Sequence, residues 1–132
     1  MITGIGHLGL FVKSIERAVE MLAQFTPLEK PAIREVPERG IRIALVQIGA
    51  VGLELIQDLH PDGPLARTLS EKGNFIHHVC LLTDAIEADA GRLSGQGVAF
   101  LDPQPKVGLR GKKIVMSTPA ALDGIAIELS EP

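Results

Sequence analysis

The sequence contains no tryptophan and no tyrosine, and only four phenylalanines stand among its 132 residues. Recognition of single-stranded nucleic acid by base stacking therefore has little to work with. Lys and Arg number 13 against 16 Asp and Glu, a net charge of −3, so no general basic footprint points to a nucleic-acid partner. Local basic clusters can still hold a phosphate-bearing small molecule. A single cysteine, Cys80, excludes an internal disulfide and fits a reducing compartment. No apolar run reaches the ~18 residues of a membrane span. The first residues also lack the basic region and long apolar stretch of a signal peptide, so a cytoplasmic location is expected. What the sequence does have is aliphatic: 45% of it is apolar, mostly Ile, Leu, Val and Ala. That is enough for the core of one compact domain, spanning residues 1–132, or of two small interdependent halves.

Residues 5–12 read as a strand. Ser14 then caps a helix in which Ile15, Ala18, Val19, Leu22 and Phe25 recur at helical spacing, ending before Pro27. An extended piece follows over 30–36, a turn over 36–40, and two strands, 41–48 and 51–57. The tight Gly49-Ala50 connection makes those strands an antiparallel hairpin. Pro64 opens a short linking helix that stops at Gly73. The opening pattern then returns. Residues 75–82 are a strand, and Asp84 with Glu87 forms a capping box for a helix carrying Ile86, Ala90 and Leu93. Val98–Leu101 starts another strand, 104–111 is a loop, and strands follow near 113–117 and 124–129.

The second half thus repeats the first. His7-Leu8-Gly9-Leu10 matches His78-Val79-Cys80-Leu81 at an offset of 71, and Ile15-Glu16 matches Ile86-Glu87 at the same offset. Leu53-Glu54-Leu55 matches Ile127-Glu128-Leu129 at an offset of 74, which three extra residues in the second half explain. Each half, approximately 1–60 and 74–132, reads as strand, helix, then three strands, an α+β chain of paired βαβββ modules. Neither half covers its own sheet, so the two are expected to pack together.

The repeat also pairs its polar anomalies. His7 shares a strand face with Ile5 and Gly9, Glu54 shares one with Gly52 and Ile56, and Glu128 shares one with Ala126 and Ser130. An isolated ionised carboxylate is costly in such a place. One divalent ion held by His7, Glu54, His78 and Glu128 removes that conflict, provided the four converge. The bland alternative is a pair of satisfied core histidines and two solvated glutamates. Two imidazoles and two carboxylates suit Zn, Co, Ni, Mn or Fe(II), and leave one or two octahedral positions for water or substrate. His77 points to the opposite face from His78, in a packing or supporting role. His60 reads as a surface loop residue, and Cys80 as buried packing.

These residues resemble the vicinal oxygen chelate superfamily of glyoxalases, bleomycin-resistance proteins and dioxygenases, over nearly the whole chain. Within it the likeness is to the methylmalonyl-CoA epimerases. It is carried by His7-Leu8-Gly9-Leu10-Phe11-Val12, Val36-Pro37-Glu38-Arg39-Gly40-Ile41-Arg42, Leu53-Glu54-Leu55-Ile56 and Pro64-Leu65-Ala66-Arg67-Thr68-Leu69. Phe75-Ile76-His77-His78-Val79, Gly111-Lys112-Lys113-Ile114 and Ile127-Glu128-Leu129 complete it. The resemblance implies a curled mixed sheet around one divalent ion per chain, with His7, Glu54, His78 and Glu128 at the ligand positions. It also implies a homodimer; that neither nucleic acid nor membrane is a partner is the expectation from charge, aromatic content and apolar run length. Glu128 matches the carboxylate that serves as candidate base. Ile43 falls where an epimerase has a second catalytic glutamate, and the loop Lys106–Arg110 departs from the family's small-residue pattern.

The activity so implied is epimerisation of a 2-methyl-3-oxo-thioester type substrate such as methylmalonyl-CoA, by proton abstraction to a metal-stabilised enolate. Lys112 and Lys113 are candidates for the CoA phosphates. The alternatives are a glyoxalase I-like lactoylglutathione lyase, whose two-His, two-Glu ligand set also fits, and a non-enzymatic small-molecule-binding member.

Overall fold

A computed structural model describes residues 1–132. The elements run β1 (Ile2–Phe11), α1 (Ile15–Ala23), β2 (Ile33–Val36), β3 (Ile41–Ile48), β4 (Val51–Asp58), α2 (Pro64–Lys72) and β5 (Phe75–Thr83). They continue with α3 (Ile86–Gly95), β6 (Lys106–Val107), β7 (Lys113–Met116) and β8 (Ala126–Ser130). The βαβββ order occurs twice, β1-α1-β2-β3-β4 and β5-α3-β6-β7-β8. The chain forms two compact units, one of residues 9–76 and one of residues 1–8 with 77–132. No helix is long and apolar enough to cross a membrane.

In the unit of residues 9–76 the strand order is β2-β3-β4, followed by the end of β1. β3 and β4 are the expected antiparallel hairpin, with Leu45 opposite Glu54 and Ile43 opposite Ile56. Gly49 turns the chain at φ 60°, a left-handed conformation that suits glycine. α1 begins where Ser14 accepts a hydrogen bond from the Arg17 N–H, as a Ser N-cap should. Ile15 is fully buried from this helix, and packs with Val12, Ala44, Val46 and Leu55. A polar staple holds the helix start: Gln57 Oε1 accepts the Ile15 N–H and a bond from Arg42, which also pairs with Glu16 at 2.9 Å.

In the other unit the order is β1-β5-β8-β7-β6. β5 and β8 run parallel, while β7 pairs antiparallel with β8 and β6, so the sheet is mixed. α3 lies on one face, where Ile86, Ala90, Val115 and Leu129 form the core with Leu81 and Ile127 against them. Strand alternation then puts His78, Cys80, Ala126 and Glu128 on the face away from α3.

Three local expectations fail here. The Asp84–Glu87 capping box does not form: the cap residue is Ala85, with no side-chain cap. Asp84 instead accepts from the Met1 amine at 2.8 Å, Glu87 pairs with Lys113 at 2.5 Å, and Thr83 Oγ1 takes the Ala85 N–H. Val98–Leu101 is not a strand. It makes one isolated bridge, Phe100 to Ser117, before Pro103 and Pro105 interrupt the backbone donors. The loop 104–111 contains the two-residue β6.

Candidate metal centre

The first contacts between β1 and β5 set the site. Met1 O accepts from the Asp84 N–H at 3.3 Å, and Thr3 Oγ1 donates to Leu82 O at 3.4 Å. Continued along two antiparallel strands, that register brings His7 beside His78. Their rings meet edge-on, and the two Nε2 atoms stand 3.1 Å apart. Glu128 enters from β8, its Oε1 3.5 Å from His7 Nε2. Cys80 is the parallel-register partner of Glu128. One donor atom each from His7, Cys80 and Glu128 lie within 4.8 Å of one another. His7, His78, Cys80 and Glu128 are all buried, between 1% and 7% exposed, which excludes the solvated-surface reading for Glu128.

The spacing suits a shared ion. Two donors each about 2.1 Å from one ion, at angles between octahedral and tetrahedral, lie roughly 3.0–3.4 Å apart. The Nε2–Nε2 distance of 3.1 Å falls within that range, and 3.5 Å to Glu128 lies just outside it. Two imidazoles and a carboxylate make a borderline set, and the sulfur of Cys80 adds a soft donor at its edge.

Glu54 is carried by β4 in the other unit. Its neighbours Leu53 and Leu55 face the α1 core, so Glu54 lies on the opposite face of the β3–β4 hairpin, half-buried, with Ile43 and Ile56. Ile43 is itself buried and offers no group that carries a proton.

The other candidates are placed as follows. His77 is half-buried, and its Nδ1 stands 2.9 Å from Nδ1 of His78. Lys113 sits on the α3 side, where Glu87 is its partner; the ion pair raises the lysine pKa and lowers that of the glutamate. Lys112 is exposed in the turn before β7. His60 lies in the bend after β4. From the sequence Cys80 reads as buried packing; its place beside Glu128 follows from the parallel pairing of β5 with β8, which the sequence did not show.

A family model described as Glyoxalase/Bleomycin resistance protein/Dioxygenase superfamily matches residues 6–116. The chain belongs to this superfamily. The protein YqjC of Bacillus subtilis (strain 168) is 34% identical over 128 residues, covering 97% of the chain and 91% of the relative. The mitochondrial methylmalonyl-CoA epimerase of Homo sapiens is 26% identical over 128 residues, covering 96% and 73%. A solved methylmalonyl-CoA epimerase, in complex with methylmalonyl-CoA and NH4+, matches with a TM-score of 0.83 at 26% identity, over 99% of this chain and 95% of that one. The glyoxalase-superfamily fold and the α+β class with twice-occurring βαβββ order agree with the reading of the sequence. So does the likeness to epimerases.

Proposed function

We propose that this member of the superfamily is a divalent-metal-dependent epimerase of CoA thioesters such as methylmalonyl-CoA, working as a homodimer in the cytoplasm. The observation that supports it most is the buried approach of His7, His78 and Glu128 on one sheet face, at spacings suited to a single ion. Relatives named methylmalonyl-CoA epimerase, one solved with that thioester bound, supply the substrate class. In this reading His7, His78 and Glu128 hold the ion, and Glu54 joins them as the first-half equivalent of Glu128. The bound ion would supply a Lewis acid to the thioester carbonyl and acidify the carbon beside it.

The residues of the chain do the rest. Glu128 takes the proton of that carbon on a carboxylate oxygen and is the base of the reaction. Ile43 leaves no second carboxylate at its position, so the proton delivered to the opposite face comes from water or from another group. Lys112, exposed before β7, is a contact for the CoA phosphates.

The test is incubation of metal-loaded protein with one epimer of methylmalonyl-CoA in deuterated water. Epimer interconversion with deuterium entering at C2 is expected. Absence of both would sink the reading, and turnover of methylglyoxal with glutathione instead would assign a lyase.

A further inference from the structure

His77 lies outside the proposed donor set, yet its ring touches it. The His77 and His78 rings are nearly perpendicular, at 88°, with centroids 5.1 Å apart and their Nδ1 atoms at 2.9 Å. At its other nitrogen, Nε2, the His78 ring meets His7 at 3.1 Å. His78 is therefore held at both ring nitrogens, in a position only 2% exposed.

A neutral imidazole carries one N–H and one lone pair, so the bond made at one nitrogen decides what the other can do. For His78 to present an Nε2 lone pair to an ion, its proton must sit on Nδ1. That N–H then donates to a neighbour, as the second ring nitrogen of a metal-ligating histidine almost always does. We propose that His77 is the acceptor: a positioning residue whose Nδ1 lone pair locks His78 in the Nδ1–H tautomer and so aims the Nε2 lone pair at the metal. The inference rests on the metal-centre reading above. It adds to it a role for a residue that is not itself a ligand.

The geometry explains why a neighbour in sequence can do this. Successive residues on a strand project to opposite faces, so His77 does not enter the donor face. Nδ1 is the ring nitrogen nearer the backbone, and it is the atom of each ring that meets the other. The arrangement also fixes the tautomer of His77, which must keep its own proton on Nε2. Were His77 to donate from Nδ1 instead, the proton of neutral His78 would sit on Nε2, where it blocks coordination. The commoner acceptors in this role are a carboxylate, a backbone carbonyl or a water. Here a second imidazole takes their place.

His77→Phe removes the acceptor and keeps the ring volume. His77→Asn restores an acceptor oxygen near the position of Nδ1. Long-range proton–nitrogen NMR of metal-free, 15N-histidine-labelled protein at mildly alkaline pH reads the tautomer directly. Wild type and His77→Asn should show His78 as the Nδ1–H form, and His77→Phe a mixture or the Nε2–H form. Zinc affinity, by competition with a chelator, should fall about 10–100-fold in His77→Phe and recover in His77→Asn. His77→Leu replaces His77→Phe if the latter does not fold. Wild-type protein that takes up no zinc overturns the metal reading and this inference with it. Wild-type binding together with an unchanged tautomer and affinity in His77→Phe overturns the inference alone.

Discussion

Replacing Glu128 by Gln preserves the shape of a buried side chain and removes its charge, and that separates a ligand from a core polar residue. Glu128 is 7% exposed, with its Oε1 3.5 Å from His7 Nε2. Without an ion, the carboxylate is a charge taken out of water, so Glu128→Gln should leave metal-free stability unchanged or raise it. With an ion, the comparison reverses. A ligand at 100 times its dissociation constant stabilises the folded state by about 2.7 kcal/mol. For a chain of this length each kcal/mol moves the midpoint by roughly 3–5 °C, so the wild-type rise on metal addition should be about 8–14 °C. If loss of the carboxylate weakens binding about 100-fold, the same metal concentration contributes only about 0.4 kcal/mol, or 1–2 °C. Calorimetric scans of both proteins, with chelator and with zinc or cobalt, measure the two shifts side by side. A Glu128→Gln protein that keeps the full metal-induced rise would refute the assignment of Glu128 as a ligand.

Other outcomes follow from the same structure. Leu129→Ala, which empties a fully buried position beneath α3, should cost about 2–5 kcal/mol in urea unfolding. Asp89 is held at a pKa of about 2, first by the Thr83 hydroxyl, then by the Met1 amine and Arg92. Because its folded pKa lies below the ordinary 3.8, its contribution is complete above about pH 4 and is lost as pH falls through 2. The stability gap between wild type and Asp89→Asn should therefore close over that window in acid titrations, and a gap unchanged at pH 2 would contradict it. Lys112→Ala should weaken CoA-thioester binding while leaving zinc affinity as in wild type, measured by calorimetric titration of each. Lys113→Ala should act on stability instead, since its ammonium serves Glu87.

Legibility in the sequence followed the range of each interaction. The start of helix α1 was readable because Ser14 and the apolar spacing lie within one short stretch, but the helix ends at Ala23, so Phe25, read as part of its apolar face, lies beyond it and is exposed. The β3–β4 hairpin was readable because Gly49 and the strand pattern are likewise local. The Asp84–Glu87 box had the right local letters and failed because the Met1 amine and Lys113, distant in sequence, bind those carboxylates. Val98–Leu101 failed for a different reason: its pairing with residues 116–118 stops after the single bridge at Phe100, made by the Leu101 N–H to Met116 O and the Thr118 N–H to Ala99 O. At the site, the internal repeat made His7, His78 and Glu128 visible, while Cys80, read as packing, reached Glu128 only through the β5–β8 register. The His77–His78 contact was out of reach, because two adjacent strand residues normally diverge and only ring orientation brings their nitrogens together.

The path of β1 bears on how such a chain can be cut. Its first residues pack with 77–132, while its last belong with 9–76. The boundaries of the duplicated halves are thus not the boundaries along which the molecule would come apart. A fragment made by severing the chain at the α2 linker would carry β5 with its β1 edge bare, and such an edge invites pairing with another chain. It would also carry His78 and Glu128 without His7. If the proposed ion site is right, two separately made halves would have to find each other before either could hold the ion, and metal uptake would then read out their reassembly.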